Sequence, residues 1–349
     1  MKILDDVKLD FSDVLLLPKR SQYSSRSEVS LERTMRFKYS PLEWSGVPIM
    51  VSNMDTTGTL EMASALQKHK IITCLHKYYT ADDILNYPDE LDKNYYAVST
   101  GITDVDLVRL ADIMSRVTPN MICVDVANGY MSHFVQKCSQ IRELYPEKII
   151  IAGNVCTSEG VLELVVHGKV DIVKVGIGSG SCCTTRKQTG IGMPQLSAVI
   201  ECADTAHGND AHIISDGGLQ VIGDFSKAYG AGADFVMSGS MFAGHTESGG
   251  ELIAGEHNIL YKVFYGMSST TAMTKYSGGV AKYRSSEGKA VKIRYKWDVE
   301  GTILDIQGGI RSSMTYLGAK KIKDIAKCAT FVRVNRQLNQ IYNGNEIDA

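Results

Sequence analysis

The stretch Ile172-Val173-Lys174-Val175-Gly176-Ile177-Gly178-Ser179-Gly180 is a short β-branched run that ends in alternating glycines. Seven further apolar runs occur along the chain, most of them starting 23 to 27 residues after the previous one, and amphipathic stretches separate them. Strand and helix repeated at this spacing are typical of βαβ units, which form a parallel sheet. Eight such runs predict an α/β protein with a closed (β/α)₈ TIM barrel, whereas six would have favoured an open doubly wound sheet.

The predicted elements cover most of the chain. The strands are predicted at residues 47–53, 71–76, 95–101, 121–129, 148–155, 172–180, 212–218 and 235–242. Helices are predicted at 59–69, 105–117, 132–144, 159–167 and 195–207, with a last helix at roughly 318–335. The sequence shows no linker, low-complexity tract or second domain, so residues 1–349 are predicted to form a single barrel domain.

Two intervals in this pattern are long. The sixth and seventh predicted strands start 40 residues apart, which places a long catalytic loop at about 176–193. The second interval follows the eighth strand and runs through residues 268–298, which are rich in Gly, Ser, Lys and Arg. Loops that follow strands form the catalytic face of a TIM barrel. Glycine hinges and a carboxylate among cations predict a mobile flap at 268–298, although a solvated basic loop explains the composition equally well.

Composition limits the classes of function. The chain has a formal net charge of −2, with 44% apolar and 22% charged residues, which gives no reason to expect a nucleic-acid partner. No stretch approaches the ~20 apolar residues of a membrane span, and the acidic N-terminus lacks a signal-peptide core. We therefore expect a cytoplasmic protein without a membrane partner. The eight cysteines include no C-x-x-C pair, which disfavours a disulfide framework.

Cys183 follows the glycine-rich loop, with Thr185, Arg186 and Lys187 close behind. The thiolate is the reactive form of cysteine, and a neighbouring guanidinium and ammonium would favour it. A hydroxyl two residues on could position water or accept a proton. Its place in the enlarged loop of a barrel strand leaves a catalytic and a purely structural role both open. Cys182 is expected to point away, because adjacent side chains diverge.

Two consecutive loops predict a phosphate site. Asp216-Gly217-Gly218 ends the seventh predicted strand, and Ser238-Gly239-Ser240 repeats the design on the eighth. Barrel enzymes often bind a substrate phosphate at these two loops through backbone N–H groups. The glycines could instead only make turns, but two such loops in succession favour a phosphate site. Asp216 could accept hydrogen bonds from a ribose.

Together these segments resemble the IMP dehydrogenase/GMP reductase family. The resemblance covers nearly the whole chain, and its most specific part is Gly-x-Gly-x-Gly-Ser-x-Cys-x-Thr at 176–185 with Asp-Gly-Gly downstream. The chain has no room for the tandem CBS regulatory module of most dehydrogenases. Residues 53–59, 125–130 and 275–288 have the reductase form, and the last segment lacks the Arg-Tyr pair that activates water in the dehydrogenases.

The resemblance implies irreversible, NADPH-dependent reductive deamination of GMP to IMP and ammonia, a reaction of purine salvage. It makes Cys183 the nucleophile that forms a covalent thioimidate, and Thr185 and Glu287 the donors of the proton to the leaving ammonia. Lys77 is a further catalytic candidate, which would help to activate the departing amine. The family further implies a homotetramer.

The resemblance also assigns the binding residues. It implies GMP binding by Asp216, Gly217, Gly218, Gly239, Ser240, Gly266, Met267, Ser268, Arg284, Ser285, Ser286 and Gly288. It implies NADPH binding by Ser25, Arg26, Lys77, Asp125, Val126, Ala127, Ile177, Gly178, Tyr283, Ser312 and Ser313. A loop for a monovalent cation, expected to be potassium, would use the carbonyls of Gly178, Gly180 and Cys183, with Arg186 nearby.

Three alternatives remain open at this point. An IMP dehydrogenase without the CBS module would use NAD and water to oxidise IMP to XMP. A purine nucleotide-binding barrel without catalysis would need the phosphate loops but no nucleophile. An unrelated barrel enzyme that uses a flavin or a phosphosugar is the third.

Overall fold

The computed structural model describes residue 1, residues 3–283 and residues 285–335. Arg284, to which the resemblance assigns GMP binding, lies outside the described residues. Eight parallel strands close into a barrel in chain order, with the last strand beside the first. The first to eighth barrel strands are Ile49–Val51, Ile72–Leu75, Tyr96–Thr100, Met121–Asp125, Ile149–Val155, Ile172–Val175, His212–Asp216 and Phe235–Ser238. Each lies within one of the eight predicted runs, and the predicted (β/α)₈ barrel is confirmed.

Side chains along the barrel strands alternate between two apolar cores. Met50, Ile151 and Met237 belong to the core inside the barrel, whereas residues next to them in sequence pack beneath the helices. A hairpin of Arg33–Arg36 and Glu43–Gly46 closes the end where the strands begin. Its Trp44 joins the inner core, with its ring 5.1 Å from that of Phe235. The opposite end, where the strands finish, is left for a site.

Helices separate the strands and lie outside the barrel. Threonine side chains cap several of them, for example Thr59, which accepts a hydrogen bond from the N–H of Met62. The α-helices are Leu60–Gln67, Ala81–Leu85, Asp104–Arg116, Ser132–Leu144, Ser158–Leu162, Thr185–Thr189, Gln195–His207, Gly223–Gly230, Thr270–Ser277, Glu300–Leu317 and Ile325–Cys328. Short 3₁₀ or π-helical turns lie at Phe11–Asp13, Arg26–Glu28, Glu163–His167, Glu256–Asn258 and Ile322–Asp324. None of the helices in the described part of the chain has the length and apolar character to span a bilayer.

The last long helix lies earlier than predicted, so the predicted helix at roughly 318–335 is wrong. The helix is Glu300–Leu317, and it ends where Gly318 adopts a left-handed conformation with φ of 72°. Beyond it, only short helical turns precede the strand Phe331–Arg333, which pairs with Val14–Leu16. The helix forms because apolar residues at helical spacing, from Ile303 to Leu317, are buried on one face.

A buried carboxylate links the hairpin, which covers the end of the barrel where the strands begin, to one of the outer helices. Asp234 comes just before the eighth barrel strand and is 1% exposed. It accepts hydrogen bonds from Arg33 at 2.7 Å and from His207 at 2.8 Å, and His212 lies 3.3 Å away. Burial alone would raise the pKa of Asp234, but the histidine hydrogen bonds and the charge of Arg33 hold it well below its usual range.

The insertion after the eighth strand contains a small sheet that the sequence did not predict. Strands Leu252–Ala254, Leu260–Tyr265 and Ala290–Arg294 pair antiparallel, and helix Thr270–Ser277 lies between the last two. The sheet and helix lie between the eighth barrel strand and helix Glu300–Leu317, where the flap is predicted. Its mobility stays a prediction.

Helix Thr270–Ser277 is attached to two loops of the barrel mouth. Oδ2 of the buried Asp55 accepts hydrogen bonds from Tyr265 at 2.6 Å, Tyr276 at 2.7 Å and Lys275 at 2.9 Å. The ring of Tyr276 also stacks on that of Tyr78, with centroids 3.6 Å apart. These contacts hold the helix beside the ends of the first and second barrel strands.

Candidate active site

A cavity opens where the barrel strands end. Most of its lining comes from residues at or just after the ends of the first, fourth, sixth, seventh and eighth strands. Asn154 of the fifth strand and Lys174 of the sixth also line it, and the insertion supplies the rest. The predicted site residues that line it are Asp125, Val126, Ala127, Ile177, Gly178, Gly180, Cys183, Thr185, Asp216, Gly217, Gly218, Gly239, Ser240, Gly266, Met267, Ser268 and Glu287. The barrel therefore brings together residues that are up to about half the chain length apart in sequence.

A thiol, a hydroxyl and a carboxylate form a continuous hydrogen-bonded chain in this cavity. Cys183 Sγ donates to Thr185 Oγ1 at 3.2 Å, and Thr185 Oγ1 donates to Glu287 Oε2 at 2.7 Å. All three side chains are half-buried. The direction of the bonds gives the thiol proton a path through the hydroxyl to the carboxylate.

Backbone pairing between two loops holds Glu287 in this position. The N–H of Thr184 donates to the carbonyl of Glu287 at 2.8 Å, and the N–H of Lys289 donates to the carbonyl of Cys182 at 2.9 Å. An antiparallel bridge between Cys183 and Gly288 lies between these two bonds. The predicted catalytic loop and the insertion are therefore joined at Cys183 by backbone pairing.

The two adjacent cysteines differ in exposure, although both line the cavity, and the expected orientation of Cys182 stays a prediction. Cys182 is 4% exposed and packs against Ala243 and Phe264, and burial raises the pKa of its thiol. Cys183 is half-buried and reaches Thr185. Of the two, Cys183 is the more exposed and is the one whose thiol reaches the Thr185 hydroxyl.

Arg186 does not have the role expected for a cation next to the thiol. Its guanidinium donates to Asp10 at 3.0 Å and to the carbonyl of Met193 at 2.7 Å. It packs over Gly178, where a Cβ atom would lie 2.6 Å from Arg186 Cγ and where φ is +78°. Arg186 thus fixes the shape of the glycine loop and links it to the N-terminal segment, and its charge is matched by Asp10.

The two predicted phosphate loops differ in whether their backbone N–H groups already have an acceptor in the protein. The N–H of Gly217 donates to the carbonyl of Met237, and the N–H of Gly218 to the carbonyl of Ser179. Gly239 instead starts a helical turn, because its carbonyl accepts from the two residues that follow Met241. In the described part of the chain, nothing accepts the N–H groups of Gly239 and Ser240. The eighth-strand loop is therefore the better anion site, since free N–H groups at the start of a helical turn attract anions.

A buried ion-pair network that the sequence analysis missed lies beneath the cavity. Lys174, on the sixth strand, is 2% exposed and lies 2.5 Å from Asp125 Oδ1 and 3.3 Å from Asp216 Oδ2. Asn154 donates to the same oxygen of Asp216 at 2.9 Å, and Asn53 accepts from Lys174 at 3.2 Å. The available signal was a lysine within an otherwise apolar strand, Ile172–Val175.

Lys77 lies beside the cavity rather than in its lining. Its Nζ is 3.6 Å from Asp106, its side chain is 37% exposed, and its carbonyl accepts from Arg109. Its charge helps to lower the pKa of Asp125, after the larger effects of burial, which opposes the shift, and of Lys174. Lys77 is thus close enough to act on groups in the cavity.

Several predicted cofactor residues do not line the cavity. Ser25 caps the short turn Arg26–Glu28, which packs against helix Glu300–Leu317, the helix that carries Ser312 and Ser313. Tyr283 is 94% exposed. These residues lie on the outside of the barrel, and within one chain they are separated from the thiol.

The remaining predicted residues belong to the insertion near its contact with the catalytic loop. Ser286 donates to the carbonyl of Gly288 at 3.1 Å, and the exposed Ser285 contacts Gln188 at 3.4 Å. Gly288 is held tightly, since a Cβ atom there would lie 2.9 Å from the backbone nitrogen of Ser269. These residues flank Glu287 at the rim of the cavity.

Comparison with known proteins agrees with this geometry. The family model for the IMP dehydrogenase / GMP reductase domain matches residues 8–339. The chain is similar to GMP reductase 1 of Homo sapiens, with 54% identity over 97% of this chain and 98% of the relative. It is 54% identical to GMP reductase of Caenorhabditis elegans, over 98% and 96%, and 53% identical to GMP reductase of Klebsiella pneumoniae, over 98% and 99%. The chain belongs to the IMP dehydrogenase/GMP reductase family.

Proposed function

We propose that this chain is an NADPH-dependent oxidoreductase that converts GMP irreversibly to IMP and ammonia, as part of purine salvage. The observation that carries the proposal is the hydrogen-bonded chain from Cys183 through Thr185 to Glu287. It lies in a cavity where no described residue accepts the N–H groups of Gly239 and Ser240, which supports an anion site there. Relatives of similar length that cover nearly the whole chain are named GMP reductase.

The first half of the reaction follows from the direction of these hydrogen bonds. The thiol proton moves through Thr185 to Glu287 while Cys183 sulfur bonds to C2 of the purine. Glu287 then returns the proton through Thr185 to the 2-amino group, and ammonia leaves as the C2–N bond breaks. The product is a thioimidate between Cys183 and the nucleotide, and the same proton serves both steps.

The second half needs a hydride at C2. NADPH, when bound, supplies this hydride. The carbon–sulfur bond then breaks, IMP is released, and the sulfur leaves as a thiolate that takes up a proton to restore Cys183. A thiolate suits both halves, because it is a strong nucleophile and an adequate leaving group. Lys77 is proposed to assist departure of the amine.

For substrate binding, the ribose of GMP is proposed to lie against Asp216, and the phosphate against Gly239 and Ser240. Gly217 and Gly218 have φ of 82° and 80°, which lets the backbone approach the ligand without a side chain in the way. The base is proposed to lie under the insertion residues at the cavity rim. Those residues are Gly266, Met267, Ser268, Ser285, Ser286 and Gly288. Arg284, which lies outside the described residues, is proposed to contact the base as well.

For the cofactor, the nicotinamide end of NADPH is proposed to contact Asp125, Val126, Ala127, Ile177 and Gly178, which line the same cavity as Cys183. The far end is proposed to contact Ser25, Arg26, Tyr283, Ser312 and Ser313, where an arginine suits a 2′-phosphate. Because this second set does not line the cavity of its own chain, we propose that it acts across a subunit contact of the homotetramer.

Potassium is proposed at the carbonyls of Gly178, Gly180 and Cys183. Backbone carbonyls are the ligands that replace the hydration shell of potassium in proteins, and the φ of +78° at Gly178 is a left-handed conformation that glycine adopts without strain in such a loop. Activity that is the same in potassium and in tetramethylammonium salts would contradict this proposal. The cytoplasmic location, the homotetramer and the single folding domain also stay predictions, and sedimentation measures the oligomeric state.

The test is a pair of assays on the purified protein. With GMP and NADPH, we expect loss of NADPH absorbance together with equal amounts of IMP and ammonia. With IMP and NAD, we expect no NADH. Formation of NADH and XMP, without oxidation of NADPH, would identify a dehydrogenase, and GMP binding without either reaction would identify a nucleotide-binding barrel.

A further inference from the structure

The ammonium of Lys174 touches both sides of the candidate active site. It lies between Asp125, which follows the fourth strand, and Asp216, which ends the seventh. Its third neighbour is Oδ1 of Asn53, from the loop after the first strand. An ammonium has three donors, and here three acceptors from three different strands surround it.

The surroundings of Lys174 keep it charged. Burial alone would lower the pKa of Lys174, but the charges of Asp125 and Asp216 outweigh it and raise the pKa well above its usual value. Burial opposes the ionised form of Asp125 in the same way, and the charge and hydrogen bond of Lys174 outweigh that effect and lower its pKa. The ammonium of Lys174 thus lies between the two carboxylates that face this cavity.

The hydrogen bonds of Lys174 also fix the orientation of each carboxylate in the cavity. Lys174 and Asn154 both approach Oδ2 of Asp216, at 3.3 Å and 2.9 Å. In the part of the chain that the structure describes, nothing donates to Oδ1 of Asp216, and both carboxylates line the cavity. One oxygen of Asp216 is thus used by the protein, and the other can accept from a ligand hydroxyl. Lys174 holds Oδ1 of Asp125 in the same manner.

We propose that Lys174 is a positioning residue shared by the two binding sites, and that it holds Asp216 for the ribose of GMP and Asp125 for the nicotinamide ribose of NADPH. The proposal rests on the proposed function, because it needs two ribose-containing ligands in one cavity. Lys174 does not touch the reacting atoms. Its effect is on the orientation of two carboxylates that each receive a sugar hydroxyl.

The proposal makes a specific prediction for Lys174→Met, which approximates the unbranched apolar stem of lysine and removes the ammonium. Affinity for GMP and affinity for NADPH, measured separately by calorimetry, should each fall by at least about tenfold, because each carboxylate loses a charged hydrogen-bond donor. The rate at saturation should fall less than either affinity, since the Cys183–Thr185–Glu287 chain is intact. Lys174→Arg, which keeps a cation, should recover part of both losses.

A matched control is Lys227→Met. Lys227 is also buried and pairs with a carboxylate, Asp224, at 2.9 Å, but it lies on helix Gly223–Gly230 and does not line the cavity. Loss of stability without loss of either affinity is expected for this variant. If Lys227→Met lowers the affinity for both ligands as much as Lys174→Met does, the loss of affinity is a general effect of removing a buried lysine, and the proposal is wrong.

A second variant keeps the proposal testable if Lys174→Met does not fold. Asp216→Asn removes the negative charge that Lys174 meets on the GMP side. The ammonium is then no longer held between two carboxylates, so its position beside Asp125 is less fixed. NADPH affinity should then fall by about threefold or more, although Asp216 is not assigned to NADPH. Unchanged NADPH affinity would overturn the shared role, as would a Lys174→Met protein that loses affinity for only one ligand. Failure of the wild-type protein to turn over GMP and NADPH would instead refute the proposed function.

Discussion

Thr185→Val tests whether the thiol, hydroxyl and carboxylate act as one relay. Valine has nearly the shape of threonine, so the variant removes Oγ1, and with it the bonds of 3.2 Å to Cys183 and 2.7 Å to Glu287. The thiol and the carboxylate both remain, but no group connects them. The nucleophile keeps its place, while the path of the proton is broken.

The magnitude follows from what the relay does. Proton transfer by a positioned side chain contributes about 10²–10⁴-fold to a rate, which corresponds to about 3–5 kcal/mol of the activation barrier. We expect Thr185→Val to lower kcat by a factor within this range. GMP affinity should change by less than about threefold, because both observed bonds of the Thr185 hydroxyl are to protein groups.

Steady-state rates of NADPH oxidation at saturating GMP, together with GMP binding by calorimetry, measure the two quantities. Glu287→Gln and the double variant complete the comparison. If the three groups form one relay, breaking it at two points costs little more than breaking it at one. The kcat of the double variant should then be close to that of the slower single variant. A kcat for Thr185→Val within about tenfold of the wild type, or an effect on GMP affinity alone, would refute the relay.

Two further predictions concern the scaffold. Asp234→Asn should destabilise the protein at neutral pH by about 1.5–3 kcal/mol, because it removes the charge from the hydrogen bonds of a buried carboxylate to partly exposed partners. Since the folded-state pKa of Asp234 is depressed, this stabilisation is present above the ordinary pKa of aspartate and is lost as the pH falls. Urea unfolding should therefore show that the stabilities of the variant and the wild type converge on acidification. A gap that widens at low pH would contradict the sign. Tyr276→Phe keeps the stack on Tyr78 and loses the hydrogen bond to Asp55, whereas Tyr276→Leu loses both. The rate of proteolytic cleavage within residues 268–298 and the KM for GMP should therefore both rise in the order wild type, Tyr276→Phe, Tyr276→Leu. Equal values for all three proteins would show that these contacts do not hold the helix.

The sequence predicted the barrel well, because each strand of a parallel sheet is buried on both faces and therefore forms a short apolar run. All eight runs contain a barrel strand, and the loops that follow them supply the cavity. The helix Glu300–Leu317 was missed because Gly308 and Gly309 lie in its middle, and paired glycines disfavour a helix unless tertiary packing supports it. The contacts of its buried face, such as Ile306 and Ile310, provide that support.

The candidate site was only partly predictable for a related reason. Residues that follow strands could be placed at the mouth, and Cys183 and Thr185 are neighbours in sequence. The shared role of Lys174 depends on Asn53, Asp125 and Asp216, which come from three other strands, and only closure of the barrel brings them together. Likewise, Arg186 was expected to assist the thiol, and its pairing with Asp10 links two segments that are far apart in sequence.

The most direct test of the account compares Cys183→Ala with Cys182→Ala. The two positions are adjacent, and only Cys183 is bonded to Thr185, whereas Cys182 is packed in the small core with Ala243 and Phe264. Cys183→Ala should lower the rate of GMP-dependent NADPH oxidation by at least about a thousandfold while it still binds GMP, and Cys182→Ala should retain the activity. Substantial turnover by Cys183→Ala, or loss of activity in Cys182→Ala alone, would contradict the assignment of the nucleophile.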